Sequence, residues 1–361
     1  MTHSVLARRA SGLWCPVGAF THIFLGLEDL KMKLHTNVLF VGLVALAIVG
    51  WAGVETKDAT VTETHVGVQE AQKAVLVTGA SSGIGRKITE HLAARGYFVY
   101  AGARSAEDLR ELNAMENVQS IRLDVTIQEE IDAAVETVRE AGRGLYGLVN
   151  NAGVAVVGPL IEVEEEDLHF QLNVNVYGPY RITKAFSALI IEEKGRIVTI
   201  GSISGILSGM FSGPYSMSKH AVEAFTDALA AEMAQLDVHV SVVEPGNYQS
   251  RIFVSLRRRM EANNQTFEGS LFEEQLQGMF SGPADRSQYK EPDEVAEAVL
   301  HALFDENPKR RYMVVPNQRE AEITIRKAIE ELVQLNEGHT YTYDRASLIA
   351  MLDEALAASG R

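Results

Sequence analysis

One cysteine, Cys15, is present in 361 residues, so the chain can form no intrachain disulfide and no cysteine-built metal centre, and no metal site is expected. Positive charge is also short. Thirty-three Lys and Arg face 48 Asp and Glu, a formal net charge of -15, and a chain without a broadly basic face cannot neutralise a nucleic-acid backbone. No nucleic-acid partner is therefore expected. The one local basic run, RRR at 257–259, reads as a solvated helix face. Internal repeats and low-complexity tracts are missing as well.

A single long uncharged hydrophobic run occurs, VLFVGLVALAIVGWAGV at 38–54. It sits at the short limit for spanning a bilayer and lacks the polar face of a core helix. Lys31, Lys33 and His35 precede it. We expect this segment to associate the chain with a membrane as a transmembrane anchor. An equally open form is a signal peptide beginning at Met32 and cut near Gly50 or Ala52, which would make 1–31 a misassigned start and the protein exported. The alternative is a cytoplasmic protein whose core takes the run. Residues 1–37 are then an N-terminal segment, and 55–72, polar and without periodicity, a linker.

The rest has a globular balance, with 46% hydrophobic and 22% charged residues in the whole chain. From Lys73 onward, AVLVTGA, YFVYAGAR, VQSIRLDV, GLVNNAG, GRIVTIGS, VHVSVVEPG and YMVVP read as strands separated by amphipathic helical stretches. Strands apolar on both sides, with crossovers long enough for helices, predict an α/β fold: a doubly wound parallel sheet of seven strands. TGASSGIG at 78–85 follows the first strand and opens a helix. Gly79, Gly83 and Gly85 allow a tight turn, and with Ser81, Ser82 and Ile84 they would bring backbone amides to a pyrophosphate at the helix N-terminus. The spacing is not Gly-x-Gly-x-x-Gly, and a plain strand-to-helix turn also uses glycine.

TGASSGIG, NNAG at 150–153, YSMSK at 215–219 and PG at 245–246 follow one another on strand ends and turns. Together they resemble the short-chain dehydrogenase/reductase family in its compact single-domain branch, over about 73–316. The resemblance implies a Rossmann-type fold, a nicotinamide dinucleotide, hydride transfer at a carbonyl or alcohol, and a homodimer or homotetramer.

Tyr-x-x-x-Lys occurs twice, as Tyr180 with Lys184 and as Tyr215 with Lys219; residues four apart share a helix face, so either pair holds an ammonium beside a phenol. The family places a serine a short loop before its tyrosine. Ser202 stands there for Tyr215, whereas Tyr180 has Asp167, which cannot donate a hydrogen bond when ionised. Tyr180 and Lys184 are read as a structural pair facing packing or a partner subunit. Tyr215 would then be the general acid/base, its phenol lowered from about 10 by Lys219, with Ser202 orienting the substrate oxygen and Lys219 also bonding the nicotinamide ribose. For Ser202 alone a strand-end cap would be preferred.

Of Asn173 and Asn175, the latter matches the family's relay asparagine through Asn-x-x-Gly with Gly178, and Pro179 would free a carbonyl for a relay water. A simple kink is the alternative. After the second strand stand Ala103 and Arg104, where an NAD-preferring relative would carry an acid. This favours NADP, with NAD as the alternative, through a guanidinium on the 2'-phosphate. By the resemblance Asp124 would contact adenine, Asn151 would line the cofactor cleft, and Pro245, Gly246 and Ser250 would approach the carboxamide. Residues 251–290 read as a lid whose Phe253, Leu256, Phe267, Leu271, Phe272 and Phe280 form an apolar pocket or pack the lid down. A tail of two helices fills 317–361, covering the lid or meeting another subunit.

These observations predict an NADP-dependent oxidoreductase acting on a small hydrophobic carbonyl or secondary alcohol of steroid, retinoid or lipid type. A non-catalytic dinucleotide-binding regulator or scaffold is the alternative, which the set Ser202, Tyr215 and Lys219 opposes. A sugar epimerase or dehydratase would share Tyr-x-x-x-Lys but not this glycine spacing.

Overall fold

The computed structural model of the chain describes residues 72–284 and 286–358. The 38–54 run, the segment before it and the expected linker up to residue 71 lie outside the described residues. Among those described, no helix is long and apolar enough to cross a membrane.

Strand and helix alternate as the sequence pattern requires. The first half comprises β1 (Ala74–Val77), α1 (Gly83–Ala94), β2 (Phe98–Ala103), α2 (Ala106–Asn113), β3 (Val118–Arg122), α3 (Gln128–Glu140) and β4 (Gly147–Asn150). Then come α4 (Glu165–Leu172), a π-helical turn (Asn173–Tyr177), α5 (Gly178–Glu192), β5 (Arg196–Ile200), α6 (Gly213–Met233) and β6 (His239–Pro245). The segment expected to form a lid holds α7 (Ile252–Ala262) and α8 (Glu273–Phe280). Next are α9 (Asp293–Phe304), β7 (Arg311–Val314), α10 (Gln318–Leu335) and α11 (Arg345–Ala358).

The seven strands form one parallel sheet in the order β3-β2-β1-β4-β5-β6-β7. Alternation along β1 shows why both faces are covered. Val75 and Val77 enter one core cluster with Ile88 and Leu92 of α1 and Val295, Val299 and Leu303 of α9. Ala74 and Leu76 enter the other, with Ile131 of α3 and Ile182 and Phe186 of α5. Each large side chain so buried contributes about 2 kcal/mol. Because β1 lies between β2 and β4, the winding reverses at its edge, and a crevice opens above the C-terminal ends of these strands. The tail is tied to that crevice: Glu320 of α10 is buried and accepts from the backbone N–H of Asn247, while α11 buries no residue.

Candidate active site

The crevice is a cleft of about 960 Å³. It brings together Gly79, Ser81, Ser82, Gly83, Ile84, Gly85, Arg104, Asp124, Asn151, Asn175, Ser202, Tyr215, Lys219, Pro245, Gly246 and Ser250, all singled out from the sequence.

At one end the loop after β1 packs too closely for side chains. Gly79 has φ +65°, and a Cβ there would stand 2.9 Å from Ala152 Cα; one on Gly85 would meet the Gly79 carbonyl oxygen at 2.3 Å. Asn151 Nδ2 donates to the carbonyls of Thr78 (2.9 Å) and Gly79 (3.1 Å), and Thr78 Oγ1 accepts from the N–H groups of Asn151 and Ala152. The two loops are thereby locked. The side chain of Ser82 makes no capping bond, and the first turn of α1 carries no acid. The open amides and positive dipole end of a twelve-residue helix face the cleft, a cradle that fits the pyrophosphate of a dinucleotide.

Beyond β2, Arg104 is exposed, its Nη1 3.5 Å from Asp124. Burial pushes the Asp124 carboxyl up, but hydrogen bonds from Thr126 and the Arg104 charge outweigh this and hold it below its usual range. Across the cleft, Ser250 packs on Gly83, where a Cβ would approach its Cα to 3.2 Å.

Ser202, two residues past the end of β5, and Tyr215 of α6 line the cleft together. Lys219, one turn on and buried, donates from Nζ to the Ile200 carbonyl (2.8 Å) and lies 5.7 Å from the Tyr215 ring centroid. The phenol is not lowered as expected. Burial raises Tyr215, and the Ser202 hydroxyl and the charge of Arg286 only partly oppose it. The same burial lowers Lys219 to about 8 against the attraction of Glu223. Burial dominates both groups and moves them in opposite directions.

Tyr180 and Lys184 project outward from α5, both exposed and outside the cleft. Asp167 is buried, and accepts from Arg259 Nη2 (2.6 Å) and Nε (3.1 Å) of α7 and from Gln265. Arg257 donates to the carbonyls of Phe280 and Gly282. The basic run is thus no solvated face: two of its three arginines clamp the lid, and Arg258 alone is exposed.

Asn175 sits in the π turn just before Pro179, so the interruption expected at the proline is realised as a wider helical turn. Its Oδ1 accepts from Val154 N–H (2.9 Å), while Nδ2 donates to Val154 O (3.0 Å) and Ser218 Oγ (3.1 Å). Gln171, which the sequence reading missed, bonds the same loop at Val156 N–H and Val154 O. Nothing in its local pattern marks it, since it reads as an ordinary helix residue.

Of the six apolar lid residues expected around a pocket, only Phe253 lines the cleft. Leu256 is buried, Phe272 packs edge-on against Phe211, and Phe267 packs on Phe280. Leu271 is 76% exposed. Arg286 and Tyr289 also line the cleft and were not foreseen.

The short chain dehydrogenase family model matches residues 73–261, from β1 through α7. The chain is a short-chain dehydrogenase. It is 35% identical over 263 residues to the mitochondrial D-beta-hydroxybutyrate dehydrogenase of Bos taurus, an alignment covering 66% of this chain and 76% of that one. A Burkholderia phymatum short chain dehydrogenase/reductase solved in complex with NAD is similar at 25% identity and TM-score 0.63, over 76% of this chain and 98% of that one. A variant of the actinorhodin polyketide ketoreductase, solved with NADPH, is similar at 31% identity and TM-score 0.56, over 68% of this chain and 95% of that one. The dehydrogenase described here is therefore a Rossmann-type oxidoreductase that uses a nicotinamide dinucleotide.

Proposed function

We propose that the enzyme prefers NADP and transfers hydride between its nicotinamide and a hydrophobic carbonyl or secondary alcohol, with Tyr215 as general acid/base. The convergence of Ser202, Tyr215 and Lys219 in the dinucleotide cleft carries this reading. The bound nicotinamide supplies or accepts the hydride. Ser202 orients the substrate oxygen, and Tyr215 gives it a proton as negative charge develops. Lys219 favours the phenolate once the proton has left and bonds the ribose, and Asn175 holds the loop and the helix that carry both. Gly79 to Gly85 hold the pyrophosphate, Asp124 the adenine, and Arg104, exposed with its charge only partly met by Asp124, the 2'-phosphate. Ser250, Pro245 and Gly246 border the carboxamide. Phe253, Leu207 and Val154 line the cleft and suit an apolar substrate body.

Purified protein should oxidise NADPH with members of a panel of hydrophobic ketones and aldehydes. Tyr215→Phe should lower kcat at least ~1000-fold with nucleotide binding retained, because only the hydroxyl is lost. Tyr180→Phe should keep most activity; the opposite pattern in folded variants refutes the assignment. We further propose that the 38–54 run holds the enzyme at a membrane and that the enzyme is a homo-oligomer. Both follow from sequence and family resemblance, and the exposed Leu332, Val333 and Leu335 of α10 offer a contact face.

A further inference from the structure

Arg286 stands in the lid between α8 and α9 at φ +54°, a left-handed conformation that a non-glycine residue adopts at a cost of about 1 kcal/mol or more. Its Nε donates to Tyr248 O (3.1 Å) and its Nη2 to Asn247 Oδ1 (2.8 Å). Tyr289 and Phe253 flank the guanidinium, with ring centroids 4.3 and 5.3 Å away. Backbone, two hydrogen bonds and two rings thus fix one orientation. Among the described residues no carboxylate comes within ion-pair distance, and Nη1 makes no hydrogen bond. Glu320, whose charge reaches it, already accepts from Asn247 N–H (2.8 Å) and Asn317 Nδ2 (3.0 Å). Arg286 lines the same cleft as Ser202 and Tyr215, near enough for its charge to act on the phenol.

A half-buried cation with no carboxylate at ion-pair distance among the described residues carries a desolvation cost that an anionic ligand would offset. A guanidinium that lines a cleft and keeps donors unused is suited to a carboxylate, which it can grip with two bonds. We propose that Arg286 binds a carboxylate on the substrate, so that the enzyme acts on oxo acids and hydroxy acids with an apolar body. This deepens the hydride-transfer reading and rests on it. Hydride passes to the carbonyl carbon and the Tyr215 proton to its oxygen; Arg286 makes and breaks no covalent bond but holds the far charge, placing the carbonyl at Tyr215.

The test compares the full-length enzyme with Arg286→Met and with Arg286→Lys, which keeps the charge. Substrates are straight-chain oxo acids and their methyl esters, with NADPH. Wild type should favour acid over ester in kcat/KM by about 100-fold, Arg286→Met should abolish that preference, and Arg286→Lys should keep part of it. Binding of decanoate to the NADP-saturated protein, read as a rise in Tm, should vanish in Arg286→Met. Equal use of acid and ester by wild type overturns the proposal, as does an equal loss for both in Arg286→Met, which would mark a lid-packing role. A fall in NADPH affinity in Arg286→Met, with the preference for acids intact, would assign the arginine to the cofactor and overturn it too. Decanoate binding that depends on Arg286 without turnover of any carbonyl would leave the anion site standing and remove the hydride-transfer reading. Turnover of neutral ketones without decanoate binding would do the reverse.

Discussion

Lys219 should make the protein less stable at neutral pH than the same protein without its charge. The side chain is 7% exposed, and burial brings its pKa from the ordinary 10.5 to about 8. Between these values the folded protein binds fewer protons at this site than the unfolded chain, so its contribution to stability rises with pH across that window. Below about 8 the ammonium is charged in both states, and the folded state bears a full cost of about 3 kcal/mol. Lys219→Met removes the charge with little change in volume. It also forfeits the bond from Nζ to the Ile200 carbonyl, about 1–2 kcal/mol, whose change on deprotonation is already contained in the pKa shift. The difference in unfolding free energy between Lys219→Met and wild type should therefore favour the variant most at pH 7. It should shrink by about 3 kcal/mol on going to pH 10.5. Urea denaturation followed by far-UV circular dichroism suits the measurement. A difference that stays constant from pH 7 to pH 10.5 would refute the reasoning, since a lysine with an unshifted pKa would leave it flat there.

Ala103→Asp combined with Arg104→Leu should reverse cofactor preference from NADPH to NADH, read by fluorescence titration of both nucleotides; equal wild-type affinities would sink the NADP assignment. Asp167→Ala leaves Arg259 and Gln265 without their shared acceptor and should destabilise the protein by about 3 kcal/mol, with raised hydrogen exchange in α7. Removing residues 1–71 should yield a folded, active enzyme that no longer sediments with membranes, because the two main core clusters are built from residues 74 to 312. Misfolding of that truncation, with full-length protein soluble in the absence of detergent, would overturn the anchor.

The alternating sheet was legible in the chain because the central strands are apolar on both sides and most of the helices between them carry one apolar stripe, patterns that are local in sequence. The glycines at 79, 83 and 85 were legible for a related reason: the backbone must turn and approach another loop there, and only glycine permits it. Tyr215 could be told from Tyr180 by its spacing to Ser202, and the structure places the first pair in the cleft and the second outside it. Local pattern failed where neighbours are far apart along the chain. Arg257 and Arg259 look like Arg258 in sequence, yet contacts with Phe280 and Asp167 make them lid clamps. Arg286 lies in a stretch with no periodicity, and only packing against Asn247, Tyr248 and Tyr289 brings it to the cleft. The charge state of the Tyr215 and Lys219 pair was decided last. Sequence sets which groups are four residues apart, but the tertiary fold around them sets the desolvation that moves both pKa values.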